Sequence, residues 1–318
     1  MVTGSGTYGQ PRCSLCSEPA VFFYRPVQRH LCRTHLFTAI EQRVADTVSD
    51  RNLIVQGDTV AVGLSGGKDS TALMMILTKL LPSWKNVRLV AVTVDEGISG
   101  YREETVRSAD RIARTLGVEY RHVTFPDLFG DSLDAILRGR ESQACTICGI
   151  LRKKALASAA RDAGATKLAT GHNLDDEAQS VLMNVLRGDL PRLMRDSSAD
   201  SSGRFIPRIK PLMAVSEKEI ATYLMLHEAW MDLPECPYAR HALRREVRSI
   251  LSSLEYHHPG TMLRLMESKG KIEKNCTGAI AAGPLRSCRE CGDPCSGELC
   301  QLCQLKKTLD RELSGNRP

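Results

Sequence analysis

A chain of 318 residues with 42% hydrophobic and 25% charged side chains reads as soluble and globular, with length for one large domain plus appendages or two modest domains. No run approaches the roughly 18 apolar residues that span a bilayer, and the polar start Met1–Gly6 lacks a signal-peptide core, so a cytoplasmic protein without a membrane partner is expected. Net charge is +6, which permits a polyanionic partner, although each basic cluster alone is more readily read as a solvated helix face. Twelve cysteines in a reducing compartment argue for metal ligation, and they fall into a first, a middle and a last group.

The first group lies in an N-terminal module, residues 1–36. Cys13-x2-Cys16 is followed after fifteen residues by Cys32-x2-His35, two close pairs that supply four ligands to a tetrahedral Zn²⁺. His30 is too near Cys32 to serve as well. Residues 37–57 are expected to form a linking helix.

From residue 58 the pattern alternates. Thr59–Leu64, Val87–Val94, Val118–Val123 and Thr166–Thr170 are short and β-branched, whereas Lys68–Leu81, Arg102–Leu116, Thr146–Ala163 and Leu174–Leu186 carry helical apolar spacing. This predicts an α/β fold, a doubly wound, Rossmann-like parallel sheet over residues 58–235.

Between the first strand and first helix stands Ser65-Gly66-Gly67-Lys68-Asp69-Ser70. Glycine amides and a helix N-terminus make an anion cradle, and Lys68 adds a point charge, so a nucleoside triphosphate is the expected ligand. The spacing differs from Walker A, because only Ser65 precedes the glycine pair and an acid follows the lysine.

The middle cysteines are Cys145-x2-Cys148, at the start of a predicted helix, and Cys236. Three thiolates leave a tetrahedral site open, which suits a 4Fe-4S cluster with one iron free for an exogenous ligand. A zinc with water or a side chain in fourth place, and a Cys145–Cys148 redox relay, fit the same spacing.

Asp196–Gly203 reads as a surface loop, and Ser216 with Glu219 forms a capping box for a helix running from Ile220 to Trp230. Residues 236–285 are expected to be a further helical region. In the last module, residues 286–318, Cys288-x2-Cys291 and Cys300-x2-Cys303 stand eight residues apart and predict a second structural zinc. Cys276 and Cys295 remain as free thiols.

Ser65–Ser70, Cys-Thr-Ile-Cys-Gly at 145–149, Thr-Gly-His-Asn-Leu-Asp-Asp-Glu-Ala at 170–178, Cys236 and a zinc module at each end closely resemble the tRNA 2-thiouridine synthetases of the TtuA type, with their archaeal and eukaryotic wobble-uridine relatives, in the PP-loop ATP pyrophosphatase superfamily. The resemblance implies ATP- and Mg²⁺-dependent adenylation of the C2 oxygen of a tRNA uridine, at position 54 or wobble position 34, followed by replacement of AMP with sulfur. It implies a 4Fe-4S cluster on Cys145, Cys148 and Cys236. It also implies an ATP site of Leu64, Ser65, Gly66, Gly67, Lys68, Asp69, Ser70, Val94, Asp95, Gly171 and His172, with Arg152 on phosphate and residues 236–285 on tRNA. Asp175 and Asp176 would lie near Mg²⁺ or the uridine, one as proton acceptor; the plain alternative is helix capping. Sulfide or a ubiquitin-like thiocarboxylate carrier would donate sulfur to a homodimeric enzyme. Thiolation of a tRNA cytidine and a non-catalytic zinc-dependent RNA-binding module are the rival readings.

Overall fold

The computed structural model describes residues 10–193, 206–238, 243–275, 286–295 and 297–313. The Asp196–Gly203 loop, Cys276 and the basic Arg240 lie outside these residues.

The N-terminal module is a hairpin of β1 (Phe22–Tyr24) and β2 (Arg29–Leu31), followed by α1 (Arg33–Asp50). Leu36, Ile40, Val44 and Val48 recur on one face of α1 and are at most 2% exposed, so this helix is part of the core. Each such side chain contributes about 1.5–3 kcal/mol by leaving water.

The sheet follows the predicted alternation. It runs β3 (Thr59–Gly63), α2 (Lys68–Leu80), β4 (Arg88–Asp95), α3 (Arg102–Thr115), β5 (Glu119–Thr124), the short α4 (Phe125–Phe129) and α5 (Leu133–Ile136), α6 (Ala144–Asp162), β6 (Lys167–Ala169), α7 (Leu174–Leu186), α8 (Leu190–Leu193) and β7 (Arg208–Ile209). All neighbouring pairs are parallel, in the order β5-β4-β3-β6-β7. β7 has no counterpart in the sequence reading, because two residues are too few for a period-two signal.

Strand alternation assigns the two faces. Val60, Val62, Leu89 and Ala91 pack with α1, α2, α3 and the later α9 (Glu217–Leu226), while Ala61, Val90 and Val92 meet Ala159, Ala160 and Ala163 along α6. Alanines let α6 approach the sheet closely.

The Ser216–Glu219 capping box is present at α9, but the helix ends at Leu226 rather than Trp230. Glu228 adopts φ 56 and donates its N–H to Met225 O at 3.1 Å, which closes the last turn early. Beyond it, α10 (Leu243–His257) and α11 (Thr261–Asn275) pack Val247, Leu251 and Met262 against Leu174 and Ala178 of α7. Finally β8 (Arg286–Ser287), β9 (Pro294–Cys295) and α12 (Gln301–Leu313) form the C-terminal module, whose buried Cys288, Cys300 and Leu302 share a cluster with Ile147 and Leu151 of α6. Among the described residues no helix is long and apolar enough to cross a membrane.

Candidate active site

β3 lies between β4 and β6, and the chain leaves its carboxyl end in one direction and returns at β6 on the other side. Open α/β sheets bind ligands at such a switch point. The loops after β3 and β6 meet there.

The first loop is Leu64–Gly67. Gly66 sits at φ +85, and a Cβ on it would lie 2.0 Å from Thr105 O, so only glycine fits beside α3. Ser65 N donates to Ser70 Oγ at 3.1 Å and Gly67 N to Ser65 Oγ at 3.3 Å, which curls the loop over the start of α2. The first-turn amides of α2 have no intrahelical acceptor and are available to an anion. Gly171, after β6, packs so closely on this turn that a Cβ would lie 2.9 Å from Asp69 C and Ser70 N.

Lys68 Nζ lies 2.9 Å from Asp69 Oδ2 and 3.0 Å from Glu217 Oε1. Burial acts to lower the Lys68 pKa, but these two carboxylates outweigh it and the ammonium stays charged. Asp69 Oδ1 accepts from Asn173 Nδ2 at 2.9 Å, so one aspartate ties the two loops together. Burial and the charge of Lys210 push the His172 pKa down, and its Nδ1 pairs with Thr170 Oγ1 at 2.9 Å.

Asp175 and Asp176 are both engaged in caps. Asp176 and buried Asn173 form a reciprocal capping box at α7, and Asp175 Oδ2 accepts from Glu217 N at 2.8 Å at the start of α9. Burial raises the Asp175 pKa against that hydrogen bond. Both carboxylates thus make the caps that the plain alternative names, at the rim of the same loops.

At the end of β4, Val94 O accepts from Arg102 Nη2 and Asp95 Oδ1 accepts from Gly97 N at 2.8 Å. Arg102 is buried, donates to Thr105 Oγ1 at 2.8 Å and Ser65 O at 3.3 Å, and pairs through Nε with buried Glu96 Oε2 at 2.7 Å. Sequence reasoning missed Arg102, Glu96, Glu217 and Asn173. One signal was available for Arg102, since a cation in the first turn of a helix opposes the macrodipole and needs a specific partner.

The same Glu96 reaches the cysteine centre. Arg152 Nη1 lies 3.7 Å from Glu96 Oε1, and the charges of Cys148 and Cys236 act on it, so this arginine stands near the thiols. Cys145 and Cys148 occupy the first turns of α6, and Cys236 comes from the segment before α10. Burial pushes the Cys148 thiol up to about 11, and Glu96, Cys236 and Cys145 add to the rise. Burial also raises Cys236, with Cys145 contributing. The charges of the three thiols act on one another although their sulfurs do not all lie within 4.8 Å, and Cys145 Sγ donates to Tyr238 O at 3.6 Å.

Among the described residues, two four-donor groups have ligand atoms all within 4.8 Å: Cys13, Cys16, Cys32, His35 and Cys288, Cys291, Cys300, Cys303. Cys32 Sγ lies 3.3 Å from His35 Nδ1, and Cys288 Sγ accepts from Cys300 N at 3.3 Å. Hydrogen bonds from the Cys300 and Cys291 amides pull Cys288 down to about 6, whereas burial pushes Cys291 and Cys303 up. Both groups fit a closed tetrahedral ion. Cys295 is buried and outside the ligand set.

A glycine-bearing strand-to-helix turn at the switch point, a lysine held by two carboxylates and an adjacent thiol centre define a nucleotide-activating PP-loop protein. The PP-loop domain pattern matches residues 36–251. The chain is 34% identical to the tRNA 2-thiolation protein NcsA of Haloferax volcanii, over 94% of this chain and 99% of that one. It is 38% identical to cytoplasmic tRNA 2-thiolation protein 1 of Bos taurus, over 95% of this chain and 88% of the other. The structure of the U34-tRNA thiolase NcsA of Methanococcus maripaludis, solved with its [4Fe-4S] cluster, superposes with a TM-score of 0.82 at 31% identity, covering 94% of this chain and 96% of that one. The chain belongs to the PP-loop tRNA 2-thiolation family.

Proposed function

We propose that the chain is an ATP-dependent tRNA uridine 2-sulfurtransferase acting on wobble uridine 34. The observation that carries this reading is the link between loop and thiols: Arg102 holds Ser65 O and Val94 O, and Glu96 joins Arg102 to Arg152 beside Cys148 and Cys236. ATP activation and sulfur chemistry then share one crevice. The choice of uridine 34 is supported by the likeness to the Methanococcus enzyme.

A carbonyl oxygen is a poor leaving group, so the uridine O2 attacks the α-phosphorus of ATP and pyrophosphate departs. A sulfur nucleophile at the sulfide level then adds to C2, the C–O bond to AMP breaks, and the proton of hydrosulfide is released. No electrons are gained or lost. Loop amides and Lys68 stabilise charge as it moves onto the leaving pyrophosphate, with Mg²⁺ accompanying the phosphates. Asp69 and Glu217 keep Lys68 aimed at the loop, and Asn173 fixes Asp69.

Among the described residues Cys145, Cys148 and Cys236 form no group with all donor atoms within 4.8 Å, so the three stand wider than a single tetrahedral ion needs, and three thiolates suit a cluster with three protein ligands. When bound there, a 4Fe-4S cluster supplies an iron not held by thiolate, a place for the sulfur nucleophile. Arg152 beside these thiols offsets the negative charge of the centre. The proposal extends, with support from the family likeness, to sulfide or a thiocarboxylate carrier as donor, a homodimeric assembly and a cytoplasmic location.

Anaerobic incubation with ATP, unmodified tRNA and labelled sulfide, followed by digestion to nucleosides, is expected to yield 2-thiouridine. Lys68→Ala should abolish release of AMP and pyrophosphate, and Cys236→Ser should lose the brown colour and sulfur transfer. Labelled 2-thiocytidine, or no thionucleoside, would overturn the proposal.

A further inference from the structure

Among the described residues, α6, α7, β7 and the C-terminal cysteine module enclose a cavity of about 1000 Å³. Eight of its lining side chains are lysine or arginine and one, Asp293, is acidic. Such crowding is unfavourable unless an anion shares the space. Its effect is visible at Lys153, whose pKa is pushed down by desolvation and then by Arg208, Arg192, Arg152 and Lys210.

The cations are held in place. Arg208 donates to Lys153 O at 3.0 Å, Lys210 pairs with Glu177 at 2.7 Å, and Lys154 pairs with Asp293 of the cysteine module. Arg161 and Arg187 meet no carboxylate among the described residues and are exposed. Helices α10 and α11 are differently disposed: Arg248 is turned onto Glu217 at 2.7 Å and Lys269 onto Glu273 at 3.1 Å, while Arg244 leans into the cavity on Ser180 Oγ at 3.1 Å.

A cavity of this size exceeds one phosphate group and matches an extended polyanion. Its floor helix also carries Cys145 and Cys148. Lys153 stands five residues beyond Cys148 on α6, about 8 Å along the helix axis. An RNA backbone held here would present a splayed nucleotide near the cysteine centre.

We infer that this cavity seats the sugar-phosphate backbone of the tRNA and that the C-terminal cysteine module is one of its walls, an inference that rests on the proposed thiolation. The tRNA contact then lies chiefly on α6, α7 and β7, with α10 contributing Arg244. An ion held by Cys288, Cys291, Cys300 and Cys303 would then shape a binding surface as well as staple a fold.

The test is tRNA binding to the full chain, measured by fluorescence anisotropy across a salt series. The double variant Arg161→Glu, Arg187→Glu is expected to weaken tRNA binding at least tenfold and to reduce the slope of log K against log salt by about 1.5–2. ATP affinity and the thermal midpoint should match wild type, and Arg114→Glu on α3 should leave tRNA binding unchanged. Wild-type binding that the double variant retains in strength and salt slope would overturn the cavity assignment alone. A variant that loses ATP instead of tRNA would overturn it too. A wild-type chain that binds no tRNA would remove the thiolation reading along with it.

Discussion

Gly66→Ala is the sharpest single perturbation of the nucleotide loop. Its Cβ would stand 2.0 Å from Thr105 O, and the obstacle is helix backbone, which cannot rotate away. Restoring van der Waals contact needs a movement of roughly 1 Å or more. That movement pulls on the bonds from Arg102 Nη1 to Ser65 O and from Ser108 Oγ to Gly66 O, at 3.3 and 3.1 Å. Left-handed backbone costs an alanine about 1–2 kcal/mol, and two weakened hydrogen bonds add about 1 kcal/mol each. A total of roughly 3–4 kcal/mol lowers the melting midpoint by about 5 °C in a chain of this size. A 1 Å misplacement of phosphate ligands costs on the order of 100-fold in rate. Differential scanning fluorimetry and tRNA-dependent AMP release read the two effects separately. Gly67→Ala is the control: its φ is −75° and its Cβ would meet Ser65 Oγ at 3.5 Å, so the midpoint should stay within about 2 °C. Wild-type melting and AMP release in Gly66→Ala would refute the steric reasoning.

Three further outcomes are expected. Burial acts to raise the Glu217 pKa, but the Lys68 and Arg248 contacts outweigh it and the net shift is downward, so its stabilisation is present above the unfolded value and lost as pH falls through the folded one. Urea titrations should show Glu217→Gln less stable than wild type by about 0.5–1 kcal/mol at pH 7, with the gap closing below about pH 4; a gap that widens in acid contradicts the pairing. Arg102→Ala strands buried Glu96 and should cost about 3–5 kcal/mol, while Arg102→Lys restores part of the stability but not the hydrogen bonds to both loops; equal midpoints for the two would refute a positioning role. Cys300→Ser should lower bound zinc from two ions to one by elemental analysis and leave the N-terminal site loaded.

Where local spacing carries the information, sequence and structure agree. The strand, glycine turn and helix at residues 59–80 appear as read, because β-branched alternation and a glycine pair are short-range constraints. Both terminal ligand sets were legible for the same reason, since Cys-x2-Cys presents two donors on one turn. Arg102 and Glu96 were not, because a buried ion pair has no periodic signature. The cap that Asp175 makes was not legible either, since its partner Glu217 is 42 residues away. Likewise the early end of α9 depends on the left-handed turn at Glu228.

By itself the sequence determined the chemistry available to this protein: a phosphate cradle, three thiols without a fourth partner and two closed metal sets, each written in residues close along the chain. Tertiary structure alone decided how those parts are joined. Parallel pairing of β3 with β4 and β6 brings the loops at 65 and 171 together, and the descent of α6 onto the sheet sets thiols, Arg152 and the cationic cavity along one helix. Such juxtapositions come from burying apolar faces across a hundred residues of chain, and that long-range packing leaves no local pattern to read.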